Sequence, residues 1–294
     1  MARVAKYGIS SLGNLFAHME RRTKVNKETG SLEYVKFGNR DIDTRFTPLN
    51  FRLWPPLGED IISSRGLFCS SSTRDIWASL KQNSEESVLF RFRRIFHGVQ
   101  HSKRKDLKCL CDWCISLPDE IPCDRMPEFF DVCLRYCIRL YGAENIVGAW
   151  AHVDEDHRPH LDVCFVPVLD RGTEKERISA KDLLNRRHLS DWHGGLTSFV
   201  QKQMNISNPG ILNGRTLDQG GNRTVKQMKA HDKHYAKTKG REVSIWRAEQ
   251  LKRLERSNRG VGVLQNMLID ADSRRSKQLL PQRPRSIKER LTRT

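Results

Sequence analysis

Residues 151–167 have the sequence AHVDEDHRPHLDVCFVP, and this stretch decides the fold. The runs NIVGAWAHV (145–153) and HLDVCFVPV (160–168) are apolar, and the polar turn DEDHRP separates them. Short apolar runs on either side of a polar turn are typical of paired strands. The stretch therefore predicts an antiparallel β-hairpin.

Three side chains of this hairpin can hold a metal ion. His160 and Asp162 are two residues apart, so they project from one face of the strand, and His152 on the partner strand lies opposite or diagonal to them. Cross-strand neighbours on one face have Cβ atoms about 4.5–5.5 Å apart, close enough for one ion. Two imidazoles and a carboxylate suit Mn²⁺, Fe²⁺ or Zn²⁺ better than Mg²⁺ or Ca²⁺. The turn supplies further candidates for ligands or their supporting contacts: Asp154, Glu155, Asp156 and His157.

Other segments predict a mixed α and β architecture. The run KCLCDWCISL (108–117) indicates a buried strand, and PEFFDVCLRYCIRLY (127–141) has apolar residues at helical spacing. Pro127 suits a first helical turn and Gly142 suits the residue after the last one. Residues 60–100 show no clean periodicity, and residues 12–19 fit either a helix or a loop entering one. Two further helices are predicted over 178–205 and 241–257.

The positive charge of the chain is concentrated near its C-terminus. The 294 residues carry 52 Lys and Arg against 35 Asp and Glu, a formal net charge of +17. Residues 223–294 hold 20 basic and 7 acidic residues, whereas residues 1–222 have a net charge of only +4. We therefore predict a body over 1–222 and a basic extension over 223–294, helical to partly disordered. Such an extension favours a polyanion through salt-sensitive phosphate contacts; the alternative is a tail that only aids solubility.

Composition argues against a membrane protein and against a secreted disulfide framework. No apolar run approaches the roughly 18–20 residues of a membrane-spanning helix. The N-terminal residues 1–22 lack the apolar core and the small-residue cleavage site of a secretory signal. Hydrophobic residues make up 37% of the chain, enough for a core. We expect no membrane insertion.

The eight cysteines have two interpretations. In a strand, Cys109 and Cys111 share one face and Cys114 lies on the other, while Cys133 and Cys137 lie on the apolar side of a helix. Free buried cysteines behave as small hydrophobic residues and fit a reducing compartment. The alternative is a structural zinc site, which needs ligand pairs converging from turns. The strand and helix placement favours the first interpretation.

Several blocks of the sequence, in order, resemble the MobV (Pre/Mob) family of plasmid mobilisation relaxases. The hairpin is similar to the region around that family's H-x-D-E-x-x-P-H-x-H metal motif. Together the blocks cover about residues 8–230, which makes the resemblance far more specific than one motif. The other blocks are SLGNLFAHMERR (11–22), FGNRDIDTRFTPLNFRL (37–53), RKDLKCLCDWCISLP (104–118), ISAKDLLNRRHL (178–189) and GGNRTVKQMK (220–229).

The resemblance implies an α+β, HUH-like fold, with an antiparallel sheet flanked by helices and the metal histidines on its central strands. It implies nicking and rejoining of DNA at an origin of transfer, with His18 as the nucleophile that forms a 5′-phosphohistidine and Arg21 near the phosphate. The metal, Mn²⁺ first and Mg²⁺ or Zn²⁺ as alternatives, would be held by the residues that match the motif. These are His152, Glu155, His160 and Asp162.

The resemblance also implies partners and a location. The substrate would be single-stranded or supercoiled plasmid DNA, a conjugative coupling protein is a further candidate partner, and the location would be the bacterial cytoplasm. Arg104, Lys226 and Lys229 lie in matching blocks and are candidate phosphate contacts; the alternative is ordinary solvated surface charge. A family member that no longer cleaves, acting as a DNA-binding accessory protein, is the competing functional class.

Two departures from the family motif bear on the chemistry. Three residues rather than two separate Glu155 from Pro159, and Asp162 replaces the last histidine. The change can alter the metal preference or weaken the site, and it can bring His157 into the ligand set. Related enzymes use tyrosine nucleophiles, and three tyrosines are alternative candidates for that role, although none of them lies in a matching block. They are Tyr34, Tyr136 and Tyr141.

Overall fold

A five-stranded antiparallel sheet forms the centre of the protein, with strand order β1-β5-β7-β6-β4. The computed structural model describes residues 2–34, 42–56, 70–80, 86–155, 158–211 and 239–257. The strands of the sheet are β1 (Ala2–Tyr7), β4 (Phe51–Trp54), β5 (Leu110–Ser116), β6 (Ile146–His152) and β7 (His160–Phe165). Two small two-stranded sheets pair β2 (Thr23–Val25) with β3 (Leu32–Tyr34) and β8 (Val168–Leu169) with β9 (Arg177–Ile178).

The predicted hairpin is the pair β6–β7, and the predicted strand over 108–117 is β5. Both β6 and β7 are buried along their whole length, because each lies between two other strands and both faces of the sheet are covered. Gly148 allows close packing within β6: a Cβ there would lie 2.1 Å from the ring of Trp150. The mixed architecture and the antiparallel sheet expected from the sequence are confirmed.

Helices cover both faces of this sheet. They are α1 (Leu12–Met19), α2 (Ser71–Ser79), α3 (Val88–His97), α4 (Met126–Tyr141), α5 (Ala180–Leu183), α6 (Arg186–Met204) and α7 (Lys239–Ser257). The segment expected to lack periodicity thus contains two helices, and the helix expected over 178–205 is interrupted between α5 and α6. α4 has Pro127 in its first turn and ends at Gly142, which has a left-handed φ of 81°.

One face of the sheet packs against α4 and α6 through aromatic side chains. The rings of Trp113 on β5 and Trp192 on α6 stack with centroids 3.7 Å apart. Tyr141 at the end of α4 stacks on Phe165 of β7 at 4.0 Å. These large buried rings contribute much of the apolar area removed from water, so this face acts as the structural side of the sheet.

The opposite face packs against α1 and α3. Phe16 of α1 and Phe92 of α3 belong to one buried cluster with Trp150 of β6. Because side chains alternate along a strand, this is the face from which His152 and its neighbours project. The sheet thus has one face built for packing and one that combines packing with titratable groups.

The first compact unit of the chain ends within α7, at Leu251. Lys239 and Glu242 of α7 anchor this helix: the Nζ of Lys239 donates to the carbonyl of Ile121 at 2.5 Å, and Glu242 accepts from the backbone N–H of Cys123 at 2.7 Å. The second unit begins at Lys252 and is described only to residue 257. The boundary expected at residue 222 lies outside the described residues and stays a prediction. No described helix combines the length and apolar composition needed to cross a membrane.

Candidate active site

Three potential metal donors lie side by side on the β6–β7 hairpin. His152 of β6 and His160 of β7 are directly opposite each other. Asp162 is two residues further along β7, on the same face, and lies opposite Trp150. The Oδ2 atom of Asp162 is 3.5 Å from Nε2 of His152 and 3.4 Å from Nε2 of His160. The imidazole centroids are 5.4 Å apart. The register brings together the three donors that the sequence singled out.

The surroundings of His152 suit a metal ligand. The residue is 1% exposed, and neither ring nitrogen has a hydrogen-bond partner among the described residues. A buried polar group without a partner is costly, so it normally has a function. Burial, together with the charge of Arg21, lowers the pKa of His152 to about 3, which keeps the imidazole in the neutral form that binds metals. With His160 and Asp162 beside it, the donor set fits a divalent ion.

His160 has a different electrostatic environment from His152. Burial lowers its pKa, but the charge and hydrogen bond of Asp162 more than offset this effect and raise the pKa to about 9. The other ring nitrogen, Nδ1, lies 3.1 Å from the carbonyl of Arg158. Without a metal, His160 and Asp162 therefore form a buried ion pair, and an ion that binds here must displace the imidazole proton.

His18 is the accessible histidine of the cluster. It lies in the last turn of α1, and its ring centroid is 5.9 Å from that of His152. Its side chain is 27% exposed, against 1% for His152 and 10% for His160. The Nε2 atom lies 3.4 Å from Oε1 of Glu155. A substrate phosphate can therefore reach His18 while the other two imidazoles stay buried.

Arg21 is almost fully buried and is held by acidic side chains. Its guanidinium donates from Nε and NH2 to the two carboxylate oxygens of Asp154 at 2.9 and 2.8 Å, and NH2 also donates to Glu155 at 2.8 Å. Its NH1 donates to the carbonyl of His18 at 2.6 Å. The backbone has φ 46°, an uncommon value for a residue other than glycine. The described contacts tie Arg21 to the acidic turn and to the end of α1, and its place near a phosphate stays a prediction.

The acidic turn is anchored by several other contacts. Asp154 also accepts from the hydroxyl of Thr47 at 2.7 Å, and its carbonyl accepts from the N–H of Asp43 at 2.7 Å. Arg247 of α7 donates to the carbonyl of Glu155 at 2.7 Å. Burial raises the pKa of both carboxyls. Hydrogen bonds and nearby positive charge lower the pKa by more than burial raises it, so the net shift is downward for each. Both acids are therefore ionised and fixed in place.

A cavity of about 330 Å³ opens beside this cluster, lined in part by Arg21, Trp150 and His152. Arg52 of β4 also lines it, and the Nε atom of Arg52 is buried without a hydrogen-bond partner among the described residues. Burial lowers the pKa of Arg52, although not enough to remove its charge at neutral pH. Arg52 thus places a cationic donor in the wall of this cavity, and such a donor is suited to a phosphate oxygen. Arg52 could not be predicted from the sequence, because the bulged pairing of β4 with β6 brings it to the site.

Cys114 of β5 lies next to the metal donors. It is directly opposite Asp162 in the β5–β7 pairing. Its Sγ, a nitrogen of His160 and a carboxylate oxygen of Asp162 all lie within 4.8 Å of one another. Cys109 and Cys111 are buried in the core, as expected, but the interpretation of Cys114 as only a small hydrophobic residue needs revision. Alternation along the strand predicts that Cys114 and Cys109 lie on opposite faces. Knowing that β5 pairs with β7 would also have placed Cys114 next to Asp162.

No described contact links the predicted DNA-binding residues to the cluster around His152. Arg104 is exposed and pairs with Asp106 at 3.1 Å, an arrangement that fits ordinary surface charge as well as a phosphate contact. Lys226, Lys229 and His157 lie outside the described residues, so their roles stay predictions.

The alternative tyrosine nucleophiles divide into two groups. Tyr136 donates to the carbonyl of Trp192 at 3.1 Å, and Tyr141 accepts from the indole N–H of Trp113 at 2.7 Å, so both serve the structural face. Burial is the main cause that raises the pKa of both phenols. Tyr34 lies nearer the acidic turn: burial, followed by the charge of Asp154, raises its pKa. None of these shifts activates a phenol as a nucleophile.

Comparisons with known proteins agree with the geometry. A model of the plasmid recombination enzyme family (Mob_Pre) matches residues 93–236. The match spans just under half of the chain, so the chain is similar to this family over these residues. It is 23% identical over 206 residues to a plasmid recombination enzyme of Lactiplantibacillus plantarum, covering 69% of this chain and 46% of the relative. It is 30% identical over 118 residues to plasmid recombination enzyme type 1 of Staphylococcus aureus, covering 40% of this chain and 26% of the relative. The chain thus spans less than half the length of the curated relatives it matches.

The fold is shared with a solved structure of a relaxase domain. The MobM relaxase domain, bound to origin-of-transfer (oriT) DNA of plasmid pMV158 and to Mn, matches with a TM-score of 0.52 and 20% identity. The match covers 79% of this chain and 97% of the MobM chain. A second MobM structure, also Mn-bound with origin DNA, gives the same score and identity. The sheet flanked by helices therefore has the same fold as the MobM relaxase domain.

Proposed function

We propose that this protein is a member of the Mob_Pre family and a DNA relaxase, which nicks one strand at an origin of transfer and later rejoins it with the help of a divalent metal. The observation that carries the proposal is the position of His18: an accessible imidazole 5.9 Å from the buried ring of His152, beside a set of metal donors. The Mn-bound, DNA-bound MobM relaxase domain of the same fold supports a metal and a DNA substrate.

The reaction follows from the roles of these residues. A neutral imidazole has a lone pair that can attack phosphorus, which makes a histidine side chain a competent nucleophile. His18 would attack the scissile phosphate, the bond to the 3′ oxygen would break, and a free 3′ hydroxyl and a 5′-phosphohistidine would form. The reverse attack by a 3′ hydroxyl rejoins the strand and frees His18, so the energy of the bond is conserved.

The groups around His18 orient it and balance charge. Glu155, 3.4 Å away, can hold the ring through its N–H, and Arg21 keeps Glu155 in place. Arg52 can bind an oxygen of the phosphate from the cavity. His152, His160 and Asp162 would hold the divalent ion, with Glu155 as a further candidate ligand. When bound, that ion would supply Lewis-acid stabilisation of charge on the phosphate oxygens.

The first experiment is a nicking assay. The probe is supercoiled plasmid carrying the DNA that flanks the coding sequence, incubated with purified protein and Mn²⁺ or with chelator. Wild-type protein should give nicked circles and a covalent protein–DNA adduct whose bond is labile in acid and stable in alkali, as expected of a phosphohistidine. His18→Ala should form neither product, whereas His97→Ala, a change at an exposed position of α3, should retain both. An adduct that survives acid treatment, or nicking by His18→Ala, would contradict the proposed nucleophile.

One observation favours a second candidate function, a Mob_Pre protein that binds DNA without cleaving it. Asp162 stands where the family motif has histidine, and its ion pair with His160 opposes metal binding, because the His160 pKa of about 9 keeps that imidazole protonated at pH 7. In that case salt-sensitive DNA binding would be unchanged by chelator and by His18→Ala, and no adduct would form. A coupling-protein partner and a bacterial cytoplasmic location stay predictions.

A further inference from the structure

We propose that Cys114 is a ligand of the metal ion, so that the centre is a mixed histidine, carboxylate and thiolate site that prefers thiophilic ions such as Zn²⁺ and Co²⁺ over Mn²⁺. The inference rests on the metal centre of the proposed function and assigns it a ligand from a neighbouring strand. It concerns which ion this chain holds, and by which atoms.

Strand register places Cys114 in the right position. Cys114 on β5 and Asp162 on β7 are directly opposite each other, and Trp150 of β6 continues the same row. His152 and His160 occupy the next row on the same face. Opposed residues on one face of an antiparallel sheet have neighbouring side chains, so three adjacent central strands direct donors to one point.

The distances support shared coordination. One donor atom from each of Cys114, His160 and Asp162 lies within 4.8 Å of the other two. His152 adds a second, independent indication of a ligand. Its ring is buried, its nitrogens have no hydrogen-bond partner in the described structure, and Nε2 is 3.5 Å from Asp162. Coordination would bring Cys114, His160 and Asp162 to metal-ligand distances of about 2.0–2.3 Å, with His152 as a candidate fourth donor beside Asp162.

A thiolate at Cys114 would form only together with metal binding, because burial and the carboxylates of Asp162 and Asp112 raise the pKa of the free thiol. Two anionic donors, the Asp162 carboxylate and a Cys114 thiolate, would neutralise one divalent ion. Arg3 of β1 lies directly opposite Cys114 on its other side, so its guanidinium can offset negative charge at the sulfur. Thiolates are soft ligands that select Zn²⁺ and Co²⁺ over the hard Mn²⁺ and Mg²⁺. The loss of one histidine from the motif would thus be compensated by sulfur.

Cobalt provides a direct probe, since thiolate coordination gives a charge-transfer band in the near ultraviolet, separate from the visible d–d bands of bound Co²⁺. Metal-free protein titrated with Co²⁺ should show both kinds of band. Cys114→Ala should lose the charge-transfer band, keep d–d bands and bind Co²⁺ about ten- to a hundredfold more weakly. The matched control is Cys111→Ala, which removes a thiol from the same strand but from the opposite face, and it should behave as wild type.

A second measurement needs no variant. Cys114 is partly exposed, whereas the other described cysteines are buried, so iodoacetamide can reach the thiol of Cys114 in the folded protein. Saturating Co²⁺ should slow alkylation of Cys114 in the wild-type protein at least tenfold, as followed by peptide mass spectrometry.

The outcomes separate this inference from the proposed function. Wild-type protein that binds Co²⁺ with d–d bands but without a charge-transfer band, or without protection of Cys114, overturns the thiolate ligand and leaves the metal centre intact. Protein that binds no Co²⁺ at all overturns the inference together with the metal centre. The charge-transfer band in wild type, its loss in Cys114→Ala and its retention in Cys111→Ala would support the inference, whether or not DNA is nicked.

Discussion

Replacing Arg21 with methionine should strongly destabilise the protein, although position 21 is not part of a large apolar cluster. Arg21 makes a two-pronged contact with Asp154, a third hydrogen bond to Glu155 and a fourth to the carbonyl of His18. The side chain of Asp154 is 0% exposed and that of Glu155 is 8% exposed. Methionine keeps much of the length and loses the charge, so two buried carboxylates would face each other without their main cation.

The expected cost follows from the burial of that pair. Removing one partner of a buried ion pair costs about 3–5 kcal/mol, because the remaining charge is left uncompensated. That is a large part of the roughly 5–15 kcal/mol by which a typical domain is stable. The control is Arg22→Met, since Arg22 pairs with Glu20 at 3.4 Å while both side chains remain largely in solvent. Exposed pairs of this kind are worth about 0–1 kcal/mol.

The assay is equilibrium urea unfolding followed by circular dichroism at pH 7. The double variant Arg21→Met with Asp154→Asn removes one of the stranded charges and should recover about 1–3 kcal/mol of the loss. If Arg21→Met lost less than about 1 kcal/mol of unfolding free energy, as Arg22→Met should, the reasoning would be refuted. It would also be refuted if the double variant lost more than the sum of the losses of its two single variants.

The pH dependence gives an independent check with a definite sign. In the wild type the pKa of Asp154 and of Glu155 is lowered in the folded state, so their contribution is present above the unfolded values of about 4 and is lost as the pH falls through the folded values. Without Arg21, burial would dominate at Asp154 and raise its pKa, so protonation in acid would relieve the variant. The difference in unfolding free energy between wild type and Arg21→Met should therefore shrink between pH 7 and pH 4.

Three further substitutions test the packing. Trp192→Ala, which removes the ring stacked 3.7 Å from Trp113, should lower the free energy of unfolding by about 3–5 kcal/mol in urea titrations. Gly148→Ala should cost about 1–3 kcal/mol by thermal denaturation, because its Cβ would collide with the ring of Trp150. Asn185→Ala should cost about 1 kcal/mol, since the Asn185 side chain accepts from an N–H in the first turn of α6, and calorimetry measures the shift in Tm.

The parts of the fold that follow from local sequence were predictable. Alternation along two apolar runs was enough for β6 and β7, and for the shared face of His152, His160 and Asp162. Likewise, Pro127 and Gly142 marked the ends of α4 closely, because each has a backbone preference that acts locally.

The parts that depend on distant contacts were not predictable in the same way. The periodicity of α3 is obscured by Arg91, a charged residue that is buried because its guanidinium lies 4.4 Å from the ring centre of Trp77 on α2 and pairs with Glu86. The position of Cys114 depends on which strand pairs with β5. The contacts of Arg21 depend on a left-handed backbone turn, which no residue-type preference indicates for arginine.

The attachment of α7 has a consequence for how the protein can be divided into fragments. A fragment ending at residue 222, the boundary suggested by the charge distribution, would leave the N–H of Cys123 and the carbonyl of Ile121 without the partners that α7 supplies. It would also remove Arg247, which donates to the carbonyl of Glu155, the residue whose carboxylate lies 3.4 Å from His18. A minimal fragment for biochemical work should therefore run at least to Ser257, and inactivity of a shorter one would report a missing support rather than a missing DNA-binding arm.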